Sequence, residues 1–144
     1  MKKEISYRQK RYKEKIDYAR DRISDLEDWL YAEDIKERKT LFASEKALQE
    51  VVECLADIFS MILSDLGLVV NDDYSNIEKL EEKKILSEEN AAICIEANGL
   101  RNRVVHRYNH VDEKKFIESC KELIPKLVKI LDGIEEYLKN VKNG

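Results

Sequence analysis

Glycine and proline are scarce in this chain, with four Gly and one Pro among 144 residues. Few positions can therefore supply the left-handed or pre-bent backbone that tight turns need, so a fold of many short elements is not expected; long helices with few connections are. Long apolar runs are missing as well. No stretch approaches the roughly 20 residues of a membrane-spanning helix, and a membrane protein of that kind is excluded. The basic start MKKEISYRQKRYKEK is not followed by an apolar stretch. A secretory signal is thus not expected, and a cytoplasmic location is. Cysteine is sparse too. Cys54, Cys94 and Cys120 are odd in number and lie 40 and 26 residues apart, which suits neither a disulfide framework nor a zinc ligand set. Each sits among apolar neighbours in a helical pattern, so reduced, buried thiols are expected. No metal-ligand constellation is visible, and no cofactor is expected.

Hydrophobic residues make up 43% of the chain, enough to bury a core and too many for a disordered tail. The length suits one domain, 1–144. The net charge of −4 argues mildly against a general nucleic-acid binder. The charge is uneven, however. Residues 1–15 carry seven Lys/Arg against two Glu, and 101–108 carry three Arg and no acid. A local positive patch on an acidic body remains open.

Apolar periodicity predicts a first helix over 4–31, with Ile16, Ala19, Ile23, Leu26 and Leu30 at spacings of three and four. Its first half is very polar; it projects from the body or meets a partner. Lys2, Lys3, Arg8, Lys10, Arg11, Lys13 and Lys15 are better taken as a solvated or disordered start than as an RNA clamp. Trp29 is expected to pack at the helix end. A second helix is predicted over 34–66. Leu41, Leu48, Val52, Leu55, Phe59, Ile62 and Leu66 fall within about 80° of each other on a helical wheel. Val51, Ile58 and Met61 widen that apolar side, which makes this the central helix. Gly67 is placed to cap it. After a loop over 68–73 come a short helix over 75–83 and a fourth helix over 88–107, with Ser87 as its N-cap. Asn109 and His110 look like a break. Asp112 then caps a last helix over 113–141, whose stripe runs Phe116, Cys120, Leu123, Leu127, Ile130, Ile134, Leu138, Val141. Pro125 lies opposite that stripe, where it bends the helix on the solvent side without ending it. The expected fold is all-α, an up-and-down bundle of four main helices plus a short one.

The fourth helix carries the chemistry. Ile93, Ala97, Leu100 and Val104 fall within about 60° on the wheel and form its core stripe. Arg101 and Tyr108 lie within about 20° of each other, while Asn102 and His106 sit about 100° and 140° round from Arg101. If the helix continues to 108, these four residues share a side turned away from the core. Ala91, Cys94 and Ile95 lie on that side too. An apolar patch beside a polar cluster, opposite the core, suggests a homodimer interface with the cluster at its edge. Histidine titrates near neutrality and can take a proton from an RNA 2′-hydroxyl or give one to a leaving oxygen. Arginine can hold a phosphate through its fork of donors and stabilise charge in the transition state. Asparagine can orient either group. Each subunit offers one such His, and two-fold symmetry would supply both a base and an acid.

The pattern Arg-polar-x-x-x-His is the signature of HEPN domains, and Arg-x4-His-x-Tyr resembles the HepT subgroup of toxins. Here it is Arg101, Asn102, His106 and Tyr108. The context GLRNRVVHRYNHVD, the stretch SEKALQEVVECLADI and the helical organisation from about 20 to 140 are similar to that subgroup as well. The resemblance implies a dimeric, metal-independent endoribonuclease toxin with a composite cleft. Arg101 and His106 would be catalytic, with Asn102 in support. It also implies a partner, an MntA-type nucleotidyltransferase antitoxin that attaches AMP to the motif tyrosine, here Tyr108. Bulky phosphates beside Arg101 and His106 would fill the cleft and repel RNA. The sequence departs from the commoner motif at Arg107, where a small residue is expected; that cation either helps bind RNA or crowds the tyrosine. Arg103 and Arg107 are RNA contacts or plain solvated charges. Two further readings stand beside the toxin: a non-catalytic helical module that binds nucleotide or serves a minimal nucleotidyltransferase, and a purely structural four-helix dimer.

Overall fold

A computed structural model of the chain describes residues 2–106 and 112–143. Among them are five helices and no strand: α1 (Lys2–Leu30), α2 (Arg38–Asp65), α3 (Asp73–Glu82), α4 (Glu88–Val105) and α5 (Glu113–Asn143). These are the four long helices and one short helix that the periodicity predicts. No described helix is long and apolar enough to cross a membrane.

Side-chain pairs fix the directions. Arg8 and Tyr12 meet Asp65, Lys15 meets Asp57 and Tyr18 meets Glu50, so rising numbers on α1 pair with falling numbers on α2. The two helices are antiparallel. Arg20 meets Asp132 and Glu135, while the Lys121 ammonium sits 4.5 Å from the Tyr31 ring centre. By the same logic α1 and α5 are antiparallel. The three-and-four spacing of the α1 residues works as expected, since Ile16, Ala19, Ile23, Leu26 and Leu30 are all buried. Val51, Ile58 and Met61 are buried along with the main stripe of α2, which packs on α1, α3 and α4. Apolar burial of this extent is the dominant stabilising term for such a bundle.

The caps follow local chemistry. Gly67 adopts φ +74, and the Leu68 N–H reaches back to the Leu63 carbonyl at 2.9 Å, closing α2 as a left-handed C-terminal motif. Ser87 Oγ accepts the Asn90 N–H at 3.0 Å, and Asp112 Oδ1 accepts that of Lys115 at 3.1 Å, as predicted. α5 runs unbroken through Pro125, whose side is exposed. Trp29 packs partly buried against the core.

Several expectations need correction. The second helix starts at Arg38 and not near 34, because residues 32–37 fold as successive turns, with Glu37 N–H bonding the Asp34 carbonyl at 2.8 Å. The polar half of α1 does not stand free from residue 8 onward. Tyr12 is buried with its hydroxyl donating to Asp65 at 2.5 Å, and Arg8 and Lys15 are ion-paired to α2. Leu66 and Val141, expected in the apolar stripes, are exposed at the ends of α2 and α5. Cys94 and Cys120 are buried free thiols, but Cys54 is only half-buried.

Candidate functional site

Each face of α4 is set by what it packs on. The helix contacts α2, α3 and α5, and it buries Ala91, Ile93, Cys94, Ala97, Asn98, Leu100 and Val104. That is about half of its circumference, far wider than a single stripe. Ala91 and Cys94, expected at a subunit interface, lie in the core of their own chain; of the apolar patch only Ile95 is exposed, at 43%. Burial of Cys94 pushes its thiol up to about 12, which keeps it neutral and unreactive.

The helix ends sooner than expected. Val105 is its last residue, and His106 stands as the C-cap with φ −100 and ψ 43, its N–H still bonded to the Asn102 carbonyl at 3.0 Å. Arg107, Tyr108 and His110 lie outside the described residues.

Arg101 is not turned away from the core, and that expectation is also corrected. It leans on the side where Cys94 and Asn98 are buried, and its side chain is 21% exposed. Its Nη2 donates to Asp73 Oδ2 of α3 at 3.3 Å, while its Nε is buried and meets no hydrogen-bond partner among the described residues. Asn102 is half-buried, and Arg103 and His106 are exposed. Asn102 and His106 keep the expected line on α4, one turn apart. Arg101 and His106 diverge by about 140° around the helix, so within one chain they face different neighbours.

Two residues near Arg101 escaped the sequence reading. Asp73 follows the N-cap Asp72 and opens α3, within the stretch 68–73 that reads as a loop by sequence. Asn98 lies four residues before Asn102 and is buried at the edge of a small cavity between α2, α3 and α4, lined also by Phe59, Asp73, Asn76, Ile77 and Ala97. An amide at that spacing was the available signal for it. Electrostatically the end of α4 holds a partly buried cation met by one carboxylate, with an exposed imidazole and an amide round the corner. Such a set can bind an anion and exchange protons with it.

The chain belongs to the HepT-like ribonuclease family. The family model described as Ribonuclease HepT-like matches residues 15–134. A protein of Archaeoglobus fulgidus named "Putative RNase" is 36% identical over 135 residues, which is 94% of this chain and 98% of that protein. Among solved structures, YutE of Bacillus subtilis, a cytosolic protein of unknown function, is similar with a TM-score of 0.81 at 13% identity, covering 92% of this chain and 91% of that one. The tri-AMPylated HEPN toxin of Shewanella oneidensis, in complex with its MNT antitoxin, is similar with a TM-score of 0.80 at 17% identity, over 87% and 96% of the two chains. The resemblance carried by residues 44–58 and 99–112 is thus to the right family, and at these identities the two solved structures show the fold.

Proposed function

We propose that this chain is the endoribonuclease toxin of a toxin–antitoxin pair and acts as a homodimer through Arg101, Asn102 and His106. The observation that carries the reading is the last turn of α4, where an exposed His106 caps the helix, Asn102 lies one turn back, and the Nε of Arg101 meets no hydrogen-bond partner among the described residues. Because Arg101 and His106 diverge around α4, a site that puts both on one phosphate draws them from two subunits. The line of Ile95, Asn102 and His106, exposed at its first and last members and half-buried at Asn102, is the face we assign to the second copy.

In that cleft one His106 takes the proton of an RNA 2′-hydroxyl. The 2′-oxygen attacks phosphorus, the bond to the 5′-oxygen breaks, and the second His106 returns a proton to that leaving oxygen. Arg101 stabilises the charge on the phosphoryl oxygens. Asn102 orients the imidazole one turn away. The reaction needs no metal. Arg103 adds a weak RNA contact, as would Arg107. The partner we expect is a nucleotidyltransferase antitoxin that attaches AMP to Tyr108. The added phosphate competes for the same cations as the substrate.

Cleavage of RNA by the purified chain in the presence of chelator is the test. Wild type is expected to cleave and His106→Ala to lose on the order of 10²–10⁴-fold in rate. Equal cleavage by both, or none by either, rejects the enzyme. For Tyr108, intact mass is read after incubation with the antitoxin and ATP. A gain of AMP that persists in Tyr108→Phe rejects that residue.

One observation favours a second reading, a non-catalytic module that presents nucleotide or a surface to the nucleotidyltransferase. Asp73 already offsets part of the charge of Arg101. That reading expects a tight complex with the partner and no cleavage even in its absence.

A further inference from the structure

We infer that Asp73 is a positioning residue for Arg101, fixing its guanidinium where a phosphate of the substrate can reach it. The inference rests on Arg101 acting in the ribonuclease site proposed above.

A free arginine samples many rotamers, and ordering it for one phosphate costs entropy that a neighbour can remove beforehand. Arg101 has such a neighbour. Asp73 Oδ2 takes Nη2 at 3.3 Å, and Nε is shut away from solvent. A two-pronged pair would use up the planar fork. Among the described residues the contact runs through Nη2 alone, which leaves Nη1 for an incoming anion.

Asp73 is itself held in place by bonds that do not involve its own carboxylate. Asp72 caps α3, its Oδ1 accepting the Ser75 N–H at 2.8 Å, and these bonds hold the Asp72 carboxyl below its usual range. The preceding loop is tied to α3 by Asn76, which accepts the Asn71 N–H at 2.8 Å and donates to the Asn71 carbonyl at 3.1 Å. Lys79 adds a bond to the Val69 carbonyl at 2.6 Å. The capping need of α3 is met without Asp73, so its carboxylate is available to the arginine.

The test is steady-state cleavage of an RNA oligonucleotide by the full chain, comparing wild type, Asp73→Asn, Asp73→Glu, Arg101→Ala and the double variant Asp73→Asn/Arg101→Ala. Asp73→Asn should lower kcat on the order of 10–100-fold, the usual cost of losing an orienting partner. KM should stay level or fall, because the uncompensated cation still attracts phosphate. Asp73→Glu should recover part of kcat, and Asp73→Asn should cost nothing further once Arg101 is gone. Wild-type kcat in Asp73→Asn overturns the inference, as does an equal loss in the Arg101→Ala background. A loss that follows the melting temperature would make Asp73 merely structural. Equal cleavage by wild type and Arg101→Ala would instead reject Arg101 as part of the site, and the inference with it. A readout independent of turnover is the Arg101 Nε–H signal in ¹⁵N spectra. It should be sharp and slowly exchanging in wild type and averaged in Asp73→Asn; an identical signal in both overturns the positioning role.

Discussion

Arg20 and Arg101 each tie one helix to another, and they do so with different completeness. Arg20 of α1 bridges to α5, where Glu135 accepts from Nε at 3.0 Å and from Nη2, and Asp132 accepts from Nη2 at 2.8 Å. Two carboxylates meet one guanidinium whose side chain is 33% exposed. Arg101 is more buried, yet it meets a single carboxylate oxygen through one nitrogen and keeps an unpaired Nε. A saturated surface bridge has little left to offer a ligand and acts as a modest staple. A partly buried cation that meets only one carboxylate oxygen keeps charge and donor capacity that an arriving phosphate can use. Under-saturation alone does not make a site. Arg22 also has an unpaired buried Nε, but it pairs with Asp25 of its own helix and lies 5.2 Å from the Tyr18 ring centre, with no histidine of the motif beside it. Arg101 differs by sharing the end of α4 with Asn102 and His106.

The largest effect that tests this contrast is on catalysis. Arg101→Ala should reduce initial rates of RNA cleavage on the order of 10²–10³-fold, as expected for loss of a donor to a developing oxyanion. Arg20→Ala should leave the rate unchanged, and similar losses in both variants would erase the distinction. Next in size is an alkaline effect on the side of α4 that leads to Arg101. Cys94 ionises near 8.5 when unfolded, but only near 12 in the fold. From pH 9 upward the unfolded chain therefore holds fewer protons than the native one, and stability falls as pH rises, by about 2 kcal/mol at pH 10. Melts of wild type and Cys94→Ala between pH 8 and 10 should converge as pH rises; parallel curves would mean that this face is open to water. Arg20→Ala should cost about 1 kcal/mol in urea denaturation, since the pair is a network and is partly exposed. The smallest effect belongs to the far end of α4. Ser87→Ala should cost about 0.5–1 kcal/mol through the lost cap and leave cleavage untouched. A change in kcat there would show that the site senses the whole helix.

Much of the fold was legible because each signal was local. The three-and-four spacing in α1, the wide apolar side of α2, and the caps at Gly67, Ser87 and Asp112 depend on residues within a turn or two of each other. The errors arose where distant chain decides. The polar start of α1 looked solvated because Asp65 and Asp57, which hold Arg8, Tyr12 and Lys15, lie more than 40 residues away. Val141 and Leu66 fit their stripes by spacing, yet both are exposed at the ends of their helices. For the site, Asn102 and His106 were placed on their common line correctly, whereas Arg101 was assigned to the wrong side. A helix that packs on three others buries more than the single stripe its spacing predicts. Asp73 and Asn98 were invisible for the same reason.

By itself the sequence determined the helices, their caps, the family, and the residue types available for acid–base and phosphate chemistry, since periodicity and motif spacing are properties of neighbouring positions. Only the tertiary structure decided that Cys94 and Ala91 lie inside the chain, that α4 stops at Val105, and that Arg101 is tethered to α3 on a different side from His106. A wheel gives each side chain a direction but no partner. The partner of Arg101 is a carboxylate 28 residues earlier in the chain, brought to it by the antiparallel packing of α3 on α4.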